Sequence, residues 1–586
     1  MINIVQISNS QTAIAEHDDR FDRLASWLPW IVFACAIFIL FFQLGAAPLF
    51  EPDEGRNSEK AREILVLQDW VTPHDNFHPV LDKPIFFYWL IALSLKLLGI
   101  SEWAARLPSA LAALGCVGLV YFFARDHWGR WPALWSALIL LTSAEFFILA
   151  RIVIFDMPLT FFLTLALCAF YDAGHCENLQ RRRGMCLLLY SALGAATLIK
   201  GLIGIVVPGM VIFAYLLLTR QWAMLRRIYL LPGVLLFLLL VLPWYLEVGA
   251  RHDGYLRYYF WDEHFGRFAS DEFDRSQPWY YFIVVGLVGL FPWTLLLPTL
   301  LAGWRRKALD DKTLFVVLWA ALPLLFFSLS RSKLPHYILP IFPALSLLIA
   351  VPLVNLCRES PKKAQRALLL TLGCHGLVAC YFVIGIVYPA ILPRTIGSGV
   401  SVLTHPVWLY GIMVAITLTL LACWQATRKT FRQEQLFVVQ ACALVASLAF
   451  VAQVISAPAS ARSAKGLAEK AAAMVRPDTQ VVFYDTFQSG MAFYLRAEKP
   501  LWVVTYRNKK RTFLGNFYAL GKRAEPIGPR GRALLDFDEF REQWKSVKRP
   551  MVILVKEKNR ARLEAEIGAA PKQVGMVNDY VVLWKP

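Results

Sequence analysis

Phe50-Glu-Pro-Asp-Glu-Gly-Arg-Asn57 and Leu81-Asp-Lys-Pro84 are the two stretches around which this chain is laid out. The first follows directly on an apolar run, 27–44, and gathers Glu51, Asp53, Glu54 and Arg56 in a handful of residues. Charge this close to hydrocarbon is costly and is usually kept for function. Pro52 and Gly55 shape a tight entry, and the polar run Asn57 to Leu67 then reads as a short helix. The plainer alternative is a solvated loop that caps a membrane helix. Against it, other charged motifs return to the same side of the membrane. The second stretch opens an apolar run, 84–99, and the placement of that run decides the topology.

With 586 residues, 57% of them apolar, the chain reads as a mainly α polytopic membrane protein and not as a soluble enzyme. A net charge of +18 raises nucleic acid as a partner. However, the Lys and Arg cluster in short loops between apolar runs, where the positive-inside rule puts them, so no nucleic acid is expected. Trp27, Trp30, Trp131, Trp279 and Trp304 sit at span ends as an interfacial belt. No Cys follows Cys442, which leaves the C-terminal region without a disulfide, and no CxxC or Cys/His metal spacing occurs. Residues 1–26 carry acids in too long a polar lead for a secretory signal, so the first span reads as an uncleaved anchor with a cytoplasmic N-terminus.

Further apolar runs fall near 104–124, 132–150, 157–174, 185–199, 202–219, 228–248, 279–303, 313–329, 336–356, 367–389, 406–426 and 435–456. If 84–99 crosses the membrane, Arg181 to Arg183, Arg226, Arg227 and Arg305 to Lys307 all lie outside. If it lies along the outer interface, six basic loops become cytoplasmic. They carry Arg125/Arg130, Arg181–Arg183, Arg220/Arg226/Arg227, Arg305–Lys307, Lys362/Lys363/Arg366 and Arg428/Lys429/Arg432. The run is also short, roughly 24 Å of helix against a core of about 30 Å. The expectation is therefore about thirteen transmembrane helices, with the N-terminus inside and the C-terminus outside. Residues 1–456 form a transmembrane catalytic domain with interfacial helices near 54–68, 84–99 and 256–270, and 457–586 form a small periplasmic α/β domain. In that domain Gln480 to Tyr484, Leu501 to Tyr506, Met551 to Val555 and Tyr580 to Leu583 read as strands among helices at 463–475, 538–546 and 559–567. Nothing there looks catalytic.

This topology collects the polar motifs on one outer face: the 45–83 loop, Arg151 to Asp156, Lys200, Trp261-Asp-Glu-His-Phe-Gly-Arg267 and Ser330-Arg-Ser-Lys-Leu-Pro-His336. Lys200 interrupts two apolar runs beside Gly201 and Gly204, and no acid is adjacent to pair with it. The alternative for Lys200 is snorkelling to headgroups. Lys83 precedes Pro84 at a helix start, where a cation opposes the dipole, which favours a ligand role. Asp156 opens a span at Phe155-Asp-Met-Pro158, an N-cap-like place, and capping alone is its competing explanation. Glu54 has a simple alternative in pairing with Arg56. Arg331 reads as a headgroup anchor.

Asp53-Glu-Gly-Arg56, Gln68-Asp-Trp-Val71 and Asp82-Lys-Pro84 followed by Tyr88-Trp89 resemble the bacterial lipid-carrier-dependent glycosyltransferases of GT-C type. Within these, the pattern is most similar to the undecaprenyl-phosphate-aminoarabinose:lipid A arabinosyltransferases, with the protein O-mannosyltransferases as more distant relatives. The motifs are specific as an ordered set over most of the first 350 residues. The resemblance implies transfer of 4-amino-4-deoxy-L-arabinose from undecaprenyl phosphate to a lipid A phosphate at the bacterial inner membrane, giving resistance to polymyxin and cationic antimicrobial peptides. It implies a periplasmic active site, an undecaprenyl-phosphate-linked sugar donor, a lipid A acceptor and a monomeric enzyme.

Such chemistry needs cations for a leaving phosphate and acids for the sugar or acceptor. The candidate cations are Arg56, Lys83, Lys200, Arg267 and Lys333. The candidate catalytic acids are Asp53, Asp156 and Glu54, with Asp53 leading by resemblance. Resemblance also places Lys333 and Tyr337 near the lipid phosphate, and His264 joins the substrate-binding set. A hydroxyl acceptor needs a general base, whereas an ionised phosphate does not. Asp53 is thus a base in one case, and an orienting or charge-supporting group in the other. Asp82, Asp262, Glu263 and His264 offer metal-ligand chemistry, but relatives often show His-Glu-His-Phe where this chain has Asp262-Glu-His-Phe265. Cofactor and metal therefore stay open. Two other functions compete: a related enzyme moving mannose or galacturonate to protein or glycan, and a lipid-linked-sugar transporter. A transporter places its ionisable residues at the midplane on repeated, broken helices, which is not the pattern here.

Overall fold

The computed structural model of the chain describes residues 27–266, 277–304, 309–387, 433–454, 461–506, 513, 517–518, 527–546 and 549–586. The membrane part begins with α1 (Trp27–Phe41), α2 (Asp53–Leu67), α3 (Phe86–Leu98), α4 (Glu102–Trp128), α5 (Arg130–Thr142), α6 (Ala144–Ala150), α7 (Asp156–His175), α8 (Leu179–Lys200) and α9 (Ile203–Thr219). It continues with α10 (Met224–Arg227), α11 (Leu230–Arg251), α12 (Tyr255–Arg257), a π-helical stretch (Tyr258–Gly266), α13 (Tyr281–Gly289), α14 (Leu297–Trp304), α15 (Asp311–Leu329), a 3-10 stretch (Pro335–Ile341), α16 (Phe342–Glu359), α17 (Pro361–Val387) and α18 (Gln433–Val454). The apolar run at 406–426 lies outside the described residues.

Among the described residues five helices are long and apolar enough to cross a membrane, rising to seven when each bent pair is taken as one span. The α5–α6 pair bends by 66° and the pair 281–289 with 293–301 by 101°. The two breaks meet: the Ala144 N–H donates to the Phe291 carbonyl at 3.2 Å. Buried Trp293 fixes the junction by donating from its indole to Thr142 Oγ1 at 2.9 Å. Each break thus satisfies backbone groups that hydrocarbon would leave orphaned. Helix ends follow local chemistry. Ser101 and Asn178 cap α4 and α8 by accepting from Ala104 N and Arg181 N. The 84–99 run folds as the short α3, the only part of it that is helical being Phe86–Leu98.

The chain also closes a small antiparallel pair, β1 (His74–Asp75) with β2 (His78–Pro79), which the sequence reading did not anticipate. Beyond α18, a six-stranded mixed sheet forms from β3 (Gln480–Tyr484), β4 (Trp502–Val504), β5 (Leu534–Leu535), β6 (Met551–Lys556), β7 (Lys572–Val577) and β8 (Tyr580–Lys585), in the order β5-β4-β3-β6-β8-β7. Strand β3 runs parallel to β4 and β6, and β8 runs antiparallel to β6 and β7. Alternation along β3 sends Val481 and Phe483 to one face and Val482 and Tyr484 to the other. Helices α19 (Lys465–Ala472) and α20 (Gly490–Leu495) cover the first face, and α21 (Phe537–Ser546) and α22 (Glu557–Ile567) cover the second. The expected boundary at 456/457 lies outside the described residues.

This sheet region docks on the loop and helix that follow α1. Tyr494 donates no backbone group there but accepts from the Leu49 N–H at 2.7 Å through its hydroxyl. Glu51 accepts from the Gly490 N–H at 2.7 Å. The buried Asn76 amide donates to the Leu501 carbonyl and accepts from its N–H, both at 2.8 Å.

Candidate active site

Helix α2 is polar on most of its circumference, with Ala61 and Ile64 its buried apolar contacts, and its sides have different partners. Asp53 and Glu54 favour its positive N-terminal end, so it starts at Asp53, four residues before the expected Asn57. Asp53, Arg56, Asn57 and Lys60 follow the i, i+3, i+4, i+7 spacing of one helical face, and all four line a cavity of about 490 Å³. Asp82, Lys83, Tyr88, Phe155, Asp156, Lys200, Glu263, His336 and Tyr337 line it as well, with Phe326, Phe327, Ser330 and Ser332.

The cavity contains paired charges. Lys83 Nζ lies 3.1 Å from Glu263 Oε1, and Glu263 also accepts from the Tyr258 hydroxyl at 3.2 Å. Lys200 Nζ reaches Asp156 Oδ1 at 2.5 Å and sits over the Tyr337 ring, 4.6 Å from its centroid. His336 Nε2 stands 3.7 Å from the other Asp156 oxygen. Arg56 is half exposed at the mouth, 3.9 Å from Asp75. Asp53 is exposed beside it. Burial raises the Asp82 carboxyl above its ordinary range, an effect opposed by the nearby Lys60 and Lys83. Burial lowers the Lys60 ammonium, and the neighbouring cations Arg56 and Lys83 add to this while Asp75 and Asp82 oppose it.

Several expectations meet this geometry directly. Asp53, Arg56, Lys83, Asp156, Lys200 and Tyr337, drawn from distant parts of the chain, converge on one cavity. The expectation that Lys200 has no acid beside it is corrected: Asp156 arrives from 44 residues earlier at the start of α7. The same pair removes capping as the explanation of Asp156, whose side chain makes no cap hydrogen bond while Phe155 holds the N-cap place. Lys200 can stand at this turn because Gly201 ends α8 at φ +75°, and because a Cβ on Gly204 would lie 2.4 Å from the Thr197 nitrogen.

Glu54 is not part of the lining, and it does not pair with Arg56, since residues two apart on a helix face different sides. It receives Arg106 in a two-pronged contact, Nε to Oε1 at 2.8 Å and Nη2 to Oε2 at 2.7 Å. Its oxygens also accept from Val153 N and Phe50 N. Lys333 likewise turns from the cavity and donates to the Gln277 carbonyl at 2.9 Å. The His264 side chain and Arg267 lie outside what the structure describes. Among the described residues no group of three or more His, Cys, Asp or Glu is arranged to hold a metal ion. The reading from sequence missed Lys60 and His336 as lining residues and Arg106 as a brace. The signal for Lys60 was present, seven residues after Asp53 on a helix.

A family profile described as dolichyl-phosphate-mannose-protein mannosyltransferase matches residues 82–246. An undecaprenyl phosphate-alpha-4-amino-4-deoxy-L-arabinose arabinosyl transferase of Aeromonas hydrophila is 36% identical over 358 residues, 60% of this chain and 65% of that protein. The chain therefore spans just under two thirds of that curated relative. The crystal structure of ArnT from Cupriavidus metallidurans bound to undecaprenyl phosphate superposes with a TM-score of 0.79 at 28% identity, covering 94% of this chain and 97% of that one. Its apo form gives 0.78 at 27% identity, covering 96% and 98%. The fold is thus ArnT-like and of GT-C type, mainly helical with a C-terminal sheet region. By sequence the chain is similar to the undecaprenyl phosphate-aminoarabinose arabinosyl transferases over just under two thirds of their length.

Proposed function

We propose that this chain is an inner-membrane pentosyltransferase that moves 4-amino-4-deoxy-L-arabinose from undecaprenyl phosphate to a lipid A phosphate. The observation that carries this reading is the likeness, over nearly the whole chain, to an ArnT structure that holds undecaprenyl phosphate. In the reaction the bond from the sugar C1 to the carrier phosphate oxygen breaks, and its electron pair leaves with the carrier. A bond from C1 to an acceptor phosphate oxygen forms. Arg56 and Lys83 stabilise the charge developing on the carrier phosphate. Asp53, exposed at the mouth, supports the cationic sugar or aligns the acceptor, and an ionised phosphate acceptor needs no base. The Asp156–Lys200 pair holds the opposite wall. Glu54 acts indirectly, by fixing the start of α2 through Arg106.

The mannosyltransferase profile over 82–246 favours a second reading, transfer of another lipid-linked sugar to a hydroxyl, in which Asp53 is the base. One assay separates the two. The full-length protein in nanodiscs is given undecaprenyl-phosphate aminoarabinose with lipid A, and polyprenyl-phosphate mannose with a Ser/Thr peptide. Modified lipid A from the first mixture alone is expected, and mannosylated peptide alone would replace the first reading with the second. In the expected case Asp53→Asn should lower turnover by about 10²–10⁴. Near-wild-type turnover on both mixtures would falsify a catalytic role for Asp53.

The same reading carries the thirteen-span topology, with the cavity and the sheet region periplasmic, the domain boundary near 456, and a monomeric enzyme. The short length of α3 supports an interfacial α3. Thiols introduced at Gly129 and Gly184 should label only from the cytoplasm. Labelling of Gly184 from the periplasm would rule the topology out.

A further inference from the structure

Lys60 stands apart from the other cations of the cavity. It is 3% exposed, on the lining, and inside a wall where Lys83 and Lys200 each have a carboxylate. Among the described residues Lys60 has no carboxylate within ion-pair distance. Its hydrogen-bond partner is the neutral hydroxyl of Tyr88, at 3.4 Å, with the ring centroid 5.6 Å from Nζ. Asp75 and Asp82 act on it from beyond ion-pair distance, so the direct partner of this buried ammonium is a neutral hydroxyl at long range, which is costly. The hydroxyl oxygen of Tyr88 accepts from Lys60, so its own hydrogen is free to donate. Tyr88 is itself 1% exposed and lines the same wall. Two donors thus stand side by side facing the cavity, and Arg56 projects from the same face of α2, one turn earlier. A sugar diol would be matched by a donor beside an acceptor. Two donors, one of them cationic, match an oxyanion.

We propose that Lys60, with the Tyr88 hydroxyl, is a phosphate-binding anchor of this cavity, and that the phosphate of a substrate lipid supplies the anion that the folded protein withholds. This rests on the function proposed above and adds a specific residue to it. The phosphate comes either from the polyprenyl carrier or from the lipid A acceptor, both of which present the same phosphate oxygens. Lys60 positions that group and takes no part in bond making.

Binding of undecaprenyl phosphate, of lipid A and of phosphate-free undecaprenol is measured on the full-length protein in nanodiscs, for the wild type, Lys60→Met and Lys60→Arg. The unfolding midpoint of each is measured without lipid. Lys60→Met should bind one or both phosphate-bearing lipids about 10- to 100-fold more weakly. Its binding of undecaprenol should be unchanged, and its lipid-free midpoint equal to or above the wild type, because a buried unpaired charge has gone. Lys60→Arg should recover most of the affinity. A loss confined to undecaprenyl phosphate assigns the anchor to the carrier, and a loss confined to lipid A assigns it to the acceptor. Wild-type affinity of Lys60→Met for both lipids overturns the proposal while leaving the proposed function standing. A lowered lipid-free midpoint with equal loss for undecaprenol also overturns it, since that marks Lys60 as a structural brace of Tyr88. A wild type that binds neither phosphate lipid overturns the functional reading and this one with it.

Discussion

Glu54→Gln separates a brace from a reacting acid. Glu54 is 1% exposed, and its two oxygens accept from Arg106 Nε, Arg106 Nη2, Val153 N and Phe50 N. Arg106, 3% exposed, also donates to the carbonyls of Leu44 at 2.9 Å, Ala47 at 2.6 Å and Pro48 at 3.0 Å. One ion pair therefore ties the end of the first apolar run, the start of α2, the loop before α7 and the body of α4. Glutamine keeps the shape and one acceptor but leaves the guanidinium charge buried without a counter-charge. Removing one partner of a buried pair costs about 3–5 kcal/mol, and the retained acceptor puts this change near the low end, about 3 kcal/mol. Arg106→Met should cost a similar amount. The double variant should cost less than the sum of the two, because neither charge is then left alone. Denaturant unfolding followed by Trp fluorescence in nanodiscs measures the stability, and turnover per folded molecule measures the chemistry. The expected pattern is a lowered midpoint with turnover within a few-fold of wild type at a temperature where the variant is folded. An unchanged midpoint with turnover reduced by 10² or more would refute the reasoning and return Glu54 to the chemistry.

Two further outcomes follow from other pairs. Lys200→Met leaves Asp156, 2% exposed, with His336 at 3.7 Å as its one remaining ion-pair partner among the described residues, so it should destabilise the protein by about 3–5 kcal/mol, and Asp156→Asn in the same chain should recover part of that loss. Strictly additive midpoints in that double-mutant cycle would contradict a direct pair. Glu51 has its carboxyl raised by burial from 4.5 to about 8, against the lowering influence of the Gly490 N–H. A raised carboxyl binds its proton more tightly when folded. Stability should therefore be highest near pH 4.5, fall as the unfolded carboxyl ionises, and level off above pH 8. The full fall is at most about 5 kcal/mol. Glu51→Gln should flatten that part of the stability profile between pH 5 and 8, and profiles that fall in parallel would exclude Glu51 as the source.

The sequence held much of the site and little of its wiring. Charged motifs such as Asp53, Arg56, Lys83, Asp156 and Lys200 were legible because charge beside apolar runs is conspicuous, and these five residues share one cavity. Their partners were not legible. Glu54 and Arg106 stand 52 residues apart and Asp156 and Lys200 stand 44 apart, and no local period links them. In the sheet region, β3 was expected from Gln480 to Tyr484 and forms there, since an unbroken β-branched and aromatic run leaves few alternatives. Strand β5 has only two residues, and β7 has mostly exposed side chains with Gly575 inside it, so neither carries an apolar alternation to read. The pair β1–β2 escaped for the same reason. It is held by long-range contacts, the Phe77 N–H to Glu63 and Asn76 to Leu501, and not by its own pattern.

Helix α2 explains why a region with no visible chemistry accompanies the cavity. A short helix so polar, with Glu59, Lys60, Arg62 and Glu63 all buried, is not held by the apolar contacts of Ala61 and Ile64 alone. Its side away from the cavity is satisfied from elsewhere. Arg62 pairs with Glu59 at 2.6 Å and donates to the Ala497 carbonyl at 2.7 Å, while Glu63 accepts from the Phe77 N–H at 2.9 Å. Just ahead of the helix, Glu51 takes the Gly490 N–H. Two of these partners, Ala497 and Gly490, belong to the segment that carries the sheet. Without them α2 would expose orphaned charge or rotate to solvate it. Either change would swing Asp53, Arg56 and Lys60 off the cavity wall, since all four faces of one helix turn together. The sheet region therefore holds the back of α2, which sets where the front of the same helix presents its acid and its cations to the cavity.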